Sequence, residues 1–222
     1  MLQDAFKFYY KATQLKDMLR QGAVQWNVSK PRLESIAEHT FGCMILAISL
    51  KSELNVDVNL DKVLEMLTIH ELEELGIGDV TPLDNIDKQT LKAQARQCVE
   101  GVVKDLKVAP QLMGLTDEFN EGKTEEAKFA KAVDKLECVL EFKKYQDLDQ
   151  VSLDHLTQPM LKNKLLKSYV DSGKYDLADI FFIFHSHAFE AYGINKEYWF
   201  NHLKPLPVNT DIKPNINKLM KK

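Results

Sequence analysis

Thr68-Ile69-His70-Glu71-Leu72-Glu73-Glu74-Leu75-Gly76-Ile77-Gly78-Asp79-Val80-Thr81-Pro82 begins as an apolar helix, gathers carboxylates around one histidine and stops at two glycines. No Lys or Arg lies between Lys62 and Lys88, yet Glu65, Glu71, Glu73, Glu74, Asp79, Asp84 and Asp87 all fall there. If one helix runs to Gly76, Glu73 and Glu74 occupy its last turn. The helix dipole disfavours negative charge at that end by about 0.3–1 kcal/mol per group. Acid at the wrong end of a helix, beside a histidine, calls for a cation to complete it, and a divalent metal is the expectation.

Upstream, Asn59-Leu60-Asp61 is a helix start with an N-cap and early acid. Val63, Met66, Leu67 and His70 form the apolar stripe that follows. Residues 33–50 place Ile36, Cys43, Met44, Ala47 and Leu50 at helical spacing, with His39 on the same face. The first helix spaces Leu2, Phe6, Tyr9 and Tyr10, then Leu15, Met18 and Leu19, and residues 23–31 read as a loop carrying Trp26. Downstream, Gly76 and Gly78 stop the third helix. A polar helix follows over residues 86–106, and a shorter one over 111–119. Thr124 with Glu125 and Glu126 opens a helix whose seam is Phe129, Val133, Leu136 and Leu140, with Asp134 one step off it. Further helices are predicted at 158–171, 176–192 and 195–202. A tail with Pro205, Pro207 and Pro214 follows, and it reads as loosely held. With no alternating strand pattern of useful length, no repeats and no linker, the architecture is an all-α, single-domain bundle over residues 1–203 with a tail at 204–222.

Composition narrows the function classes. The chain of 222 residues is 45% hydrophobic and 28% charged with net charge −4, values of a soluble globular protein without the basic footprint that nucleic-acid polymers require. Cys43, Cys98 and Cys138 are odd in number and show no C-x-x-C, which predicts reduced thiols in a cytoplasmic protein. The start lacks a basic segment followed by an apolar run. No run of 18 apolar residues predicts a membrane span.

Taken singly, His39 or His70 on an apolar face reads as a packed core residue, and Asp134 reads as half of a surface pair with Lys131. Jointly they say more, because three helices each turn a candidate ligand toward the apolar side. Two imidazoles and two carboxylates suit a divalent ion that keeps positions open for water. Such an ion activates its water and polarises a phosphoryl oxygen. A His-Glu-x-x-His zinc protease motif is excluded because Glu74 stands four residues after His70. His185 and His187, two apart, fall on different helix faces, which argues against a shared metal. The aromatic first helix reads as core, and Lys213, Lys218, Lys221 and Lys222 as a solvated end.

Glu34-Ser35-Ile36-Ala37-Glu38-His39, the pair His70-Glu71 with Leu72-Glu73-Glu74, Gly78-Asp79-Val80-Thr81-Pro82 and Ala132-Val133-Asp134-Lys135-Leu136-Glu137 occur in this order. Together, over roughly residues 20–147, they resemble the HD-domain metal-dependent phosphohydrolases, closest to the branch acting on deoxyribonucleoside 5′-monophosphates. The resemblance implies one divalent metal (Mn, Co, Mg, Zn or Fe) held by His39, His70, Glu71 and Asp134. It also implies that Glu74 and Asp79 handle the attacking water, that Trp26 and Arg32 contact a small nucleotide substrate, and that the protein can form a homodimer. Arg20 is a second candidate for the cation. Two positions depart from the family pattern. Glu71 stands where the family has Asp, and Gln25 stands where that branch has Arg before the tryptophan. These departures keep two alternatives open: a diverged HD fold that binds nucleotide or metal with little turnover, or a hydrolase of a signalling nucleotide.

Overall fold

The structure, a computed structural model, describes residues 2–29, 33–81, 84 and 86–208. Arg32, Pro82 and the lysines of the C-terminal end lie outside the described residues.

Among the described residues the chain is helical throughout. The helices are α1 (Leu2–Ala12), α2 (Gln21–Gln25), α3 (Ile36–Glu53), α4 (Leu60–Ile69), α5 (Glu74–Ile77) and α6 (Lys88–Val103). They continue as α7 (Ala109–Glu121), α8 (Glu125–Asp147), α9 (Gln158–Leu161), α10 (Lys164–Ser172), α11 (Leu177–His185) and α12 (Lys196–Tyr198). The expected all-α class is therefore the observed one. The only extended pairing among the described residues is an isolated bridge between Leu19 and Ser35.

Local chemistry explains where the site helices begin. Ser35 caps α3: its hydroxyl accepts from the Glu38 N–H while the Glu38 carboxylate accepts from the Ser35 N–H. This reciprocal cap puts His39 in the first turn. Asn59 and Thr124 cap α4 and α8 as the sequence predicts, accepting from Lys62 N–H and Ala127 N–H.

Helix α8 is the axis of the bundle and packs against α3, α4, α7 and α11. Phe129, Ala130 and Val133 join Ile36, Cys43, Val63, Met66 and Leu67 in one core cluster. Farther along, Leu136 and Val139 join Phe182, Phe189 and Trp199 in a second. The predicted one-sided seam is thus too narrow. Neighbours surround α8, so Ala132, Asp134 and Phe142 are buried too, as expected for a central helix.

Several boundaries differ from expectation. Residues 21–25 form a short helix that runs into the start of the expected loop. The predicted helix over 176–192 gives way to 3₁₀ turns after His185. The start of the expected tail is anchored. Lys204 pairs with Asp176 at 2.7 Å and Asp179 at 2.5 Å, and the Lys143 ammonium donates to the Leu206 carbonyl.

Candidate metal centre

The third helix does not run to Gly76. It ends at Ile69, and the chain tightens into turns with Leu72 N–H bonded to Ile69 O at 3.0 Å and Glu74 N–H to Glu71 O at 3.1 Å. Helix α5 then starts at Glu74. Glu74 therefore lies at the start of α5 and not, as the sequence suggests, in the last turn of the preceding helix, so a helix C-terminus is not what calls for a cation. What calls for the cation is convergence. The turns after Ile69 bring His70 and Glu71 to His39 on α3 and Asp134 on α8. Gly76 sits inside α5 because a Cβ there would come within 2.6 Å of the Cys98 sulfur on α6. Gly78, at φ +77°, ends it.

Four predicted ligands meet at this break. His39 Nε2 lies 3.2 Å from Asp134 Oδ1 and 3.4 Å from Glu71 Oε1. His70 Nε2 lies 3.6 Å from Glu71 Oε1 and 3.9 Å from Asp134 Oδ1. Ligand atoms about 2.0–2.2 Å from one ion stand roughly 3–4 Å from each other, so this spacing fits a shared ion. All four residues are buried.

Hydrogen bonding aims the two imidazoles. His70 Nδ1 donates to the Leu67 carbonyl at 2.7 Å, which leaves Nε2 a bare lone pair. That atom is buried and makes no hydrogen bond among the described residues, although buried polar atoms ordinarily find a partner. His39 Nδ1 lies 2.5 Å from Glu137 Oε2, the carboxylate–histidine arrangement that orients a metal-binding ring. Glu137 reaches His39 because residue 42 is glycine; a Cβ there would overlap the Glu137 carboxylate. Glu137→Gln is accordingly expected to lower divalent-metal affinity by about 10–100-fold. Gly42→Ala should lower it too, by pushing the same carboxylate aside. Titration calorimetry with Mn²⁺ measures this, and unchanged affinity in both variants would remove Glu137 from the site.

Positive groups around the centre keep its two ligand-type carboxylates ionised. Burial pushes Asp134 up, but Lys135, whose ammonium lies 3.0 Å away, together with His39 and His70, holds it well below the carboxylate range. The predicted Lys131 pairing is replaced by this one. Burial also opposes charge on Glu71, yet His70, His39 and Arg20 bring it down to about 2. Burial disfavours a charged His39, but Cys138, Cys43 and Asp134 raise its pKa well above the usual imidazole range. Glu74 goes the other way: burial, then the charges of Glu71, Asp79 and Glu73, push it up to about 9. Its Oε2 is buried without a hydrogen bond among the described residues.

Arg20, only a second candidate in the sequence, is central. The Leu19–Ser35 bridge fixes its backbone, with Arg20 N–H donating to Glu34 O at 2.9 Å. Its guanidinium lies 3.1 Å from Glu71 Oε1 and 3.5 Å from Asp79 Oδ1 and donates to Cys138 Sγ at 3.3 Å. Asp79 also accepts from Gln21 N–H at 2.7 Å. Gln25 holds the adjacent turn, bonded to Thr81 at 2.8 Å and Asp84 at 3.2 Å.

The cluster opens onto a cavity of about 540 Å³ lined by Arg20, His70, Glu71, Glu74, Asp79 and Asp134. Lys128, Lys131, Lys135, Phe119 and His187 also face it. Sequence reading missed Lys131 and Lys135 as site groups, although both flank Asp134 on α8. It also missed His187, which faces the cavity because the 3₁₀ turn after α11 packs on α8. Trp26 is placed elsewhere: it packs edge-on against Phe142 and Phe181 at ring distances of 5.2 and 6.0 Å. It is not among the residues that line the cavity, so the expected contact with substrate is replaced by packing at the edge of the bundle.

An all-helical bundle thus brings two imidazoles and two carboxylates together beside a cavity of mixed charge, a donor set that fits a divalent ion. The family described as HD domain matches residues 12–167, and the chain belongs to this family of metal-dependent phosphohydrolases. Its curated relatives include the 5′-deoxynucleotidase HDDC2 of Mus musculus, 29% identical over 145 residues that cover 64% of this chain and 70% of that one. The 5′-deoxynucleotidase HDDC2 of Dictyostelium discoideum is 28% identical over 180 residues, covering 77% of this chain and 88% of that one. A solved structure titled predicted metal-dependent phosphohydrolase, from Magnetospirillum magnetotacticum, has TM-score 0.57 at 23% identity, covering 86% of this chain and 94% of that one. That likeness shows the shared fold.

Proposed function

We propose that this protein removes the phosphate from a small nucleotide, a deoxyribonucleoside 5′-monophosphate, with one divalent ion held by His39, His70, Glu71 and Asp134. The observation that carries the reading is the unpartnered His70 Nε2 facing two carboxylates in a cavity lined by lysines. Bound there, a divalent ion activates water and polarises a phosphoryl oxygen. Lys131 and Lys135 draw in the phosphate and stabilise charge that builds on its oxygens. Glu74 holds the transferable proton, and Asp79 beside it keeps that proton affinity high. Arg20 fixes Glu71 and Asp79 in place. The names of the curated relatives support the substrate class. The donor set suits Mn²⁺, Co²⁺, Fe²⁺, Mg²⁺ or Zn²⁺.

The reading takes residues 1–203 as one domain, supported by the sharing of α8 between the two core clusters. A cytoplasmic location fits three free cysteines. No described helix is long and apolar enough to cross a membrane. A homodimer is part of the proposal and is tested by the mass in solution.

Phosphate release from a panel of nucleotides with each metal tests the substrate. The Glu71→Asp variant tests whether the site has adapted to its own residue. Shortening the side chain by one carbon–carbon bond withdraws the carboxylate by about 1.5 Å, while metal sites tolerate about 0.2 Å. Glu71 Oε1 already reaches His39, His70 and Arg20. Turnover is therefore expected to fall by roughly 10–100-fold. A rise instead would favour a natural protein that binds nucleotide with little turnover.

A further inference from the structure

Among the described residues, the arginine and lysine side chains that line the cavity are Arg20, Lys128, Lys131 and Lys135. Arg20 pairs with Glu71 and Asp79, Lys128 with Glu125 at 2.7 Å, and Lys135 with Asp134 Oδ2 at 3.0 Å. Asp134 turns its other oxygen, Oδ1, to His39 and His70, so the Lys135 pairing and the ligand role use different atoms. Lys131, one turn before Lys135 on α8, makes no ion pair among the described residues. Its ammonium donates to the Asn120 carbonyl at 3.1 Å and lies 5.3 Å from the centre of the Phe119 ring. The same ring lies 5.4 Å from the His70 imidazole. Gly122, at φ +64°, completes the corner between α7 and α8, where a Cβ would come within 3.3 Å of Lys131 Cδ and Cε. An ammonium carries three N–H donors, and Asn120 takes one of them. Burial, then the charge of Lys135, lowers the Lys131 pKa, a cost that a bound anion would offset.

We propose that Lys131 is the substrate-binding residue that grips a non-bridging phosphoryl oxygen, and that Phe119, Asn120 and Gly122 are positioning residues that hold its ammonium beside the centre. The ring face attracts the ammonium, and the carbonyl in the last turn of α7 fixes one N–H. The side chain therefore loses little freedom when the anion arrives. A hydrogen bond between two charged groups is stronger than a neutral one. Lys135 is left to hold Asp134. The inference rests on the reading of this cavity as a phosphate-ester site. A lysine that only capped α7 would affect stability and leave anion binding alone.

The test is calorimetric titration of inorganic phosphate into the full chain in excess Mg²⁺. Lys131→Gln keeps a donor for Asn120 and should weaken phosphate binding by at least about tenfold. Lys131→Arg should restore most of it. Mn²⁺ affinity should stay within about threefold in both variants, because the ligand atoms are untouched. Phe119→Leu should weaken phosphate binding by about threefold, and should add nothing once Lys131→Gln is present. In the unmodified chain, phosphate should shield Lys131 from acetic anhydride and leave Lys128 labelled, a measurement that needs no variant. Unchanged phosphate affinity in Lys131→Gln, or equal labelling of Lys131 with and without phosphate, overturns the proposal and leaves the phosphate-ester reading standing. A Mg²⁺-loaded chain that binds no phosphate at all sinks both.

Discussion

Asp134→Ala is expected to abolish phosphate release, a fall of at least roughly a thousandfold given the several kcal/mol that a catalytic ion contributes. Asp134 is the ligand that the proposed site takes from the central helix, 3.2 Å from His39 Nε2 and 3.9 Å from His70 Nε2. Its removal leaves two imidazoles and Glu71, whose carboxylate already serves Arg20. Metal content after dialysis should fall in parallel with activity. The helical circular dichroism of the variant should match that of the unmodified protein, because α8 is held by Phe129, Val133, Leu136 and Val139. Activity that survives with metal retained would take Asp134 out of the ligand set.

Arg20→Ala carries the second large effect, on stability as well as turnover. The guanidinium is mostly buried between Glu71, Asp79 and Cys138. Burial opposes its charge, but Cys138, Glu71, Asp79 and Asp134 raise its pKa well above the usual value, so it stays cationic. Deleting one partner of a buried ion pair costs about 3–5 kcal/mol because the other charge is left uncompensated. In a chain of this size each kcal/mol moves Tm by about 2–4 °C, so the metal-free variant should melt roughly 6–20 °C lower. Added Mn²⁺ should restore part of that loss by supplying the positive charge that Glu71 lacks. Hydrolysis should fall too, since Asp79 and the first loop lose their tether. Arg20→Lys keeps the charge without the two-pronged geometry and should fall between. An unchanged Tm in the absence of metal would show that Arg20 does not compensate these carboxylates.

Much of the molecule was legible along the chain because the signals are local. Asn59 and Thr124 announce helix starts through side chains that satisfy free N–H groups a turn later. The apolar spacing of Ile36, Cys43 and Ala47 announces a helix face, and the absence of alternation announces an all-α class. The ordered blocks around His39, His70 and Asp134 announced a common centre. What stayed hidden depends on which distant elements touch. A helix read through to Gly76 breaks at His70, and the sequence carries no proline or glycine at that point to mark the break. The seam of α8 was read as one stripe because periodicity cannot report how many neighbours surround a helix.

The sequence by itself determined the helices, their caps and the residue types gathered for a divalent ion. Only the tertiary structure decided how they combine. Arg20 meets Glu71 and Cys138 across 51 and 118 residues, and Glu137 meets His39 across 98. The 3₁₀ turn after α11 carries His187 to the same cavity. Such meetings are set by the packing of whole elements around α8, which no local pattern encodes. For the same reason, the stretch around His70 is chemically legible as acid beside a histidine. The fold decides which of its acids faces the ion, which holds a proton and which is bound to arginine.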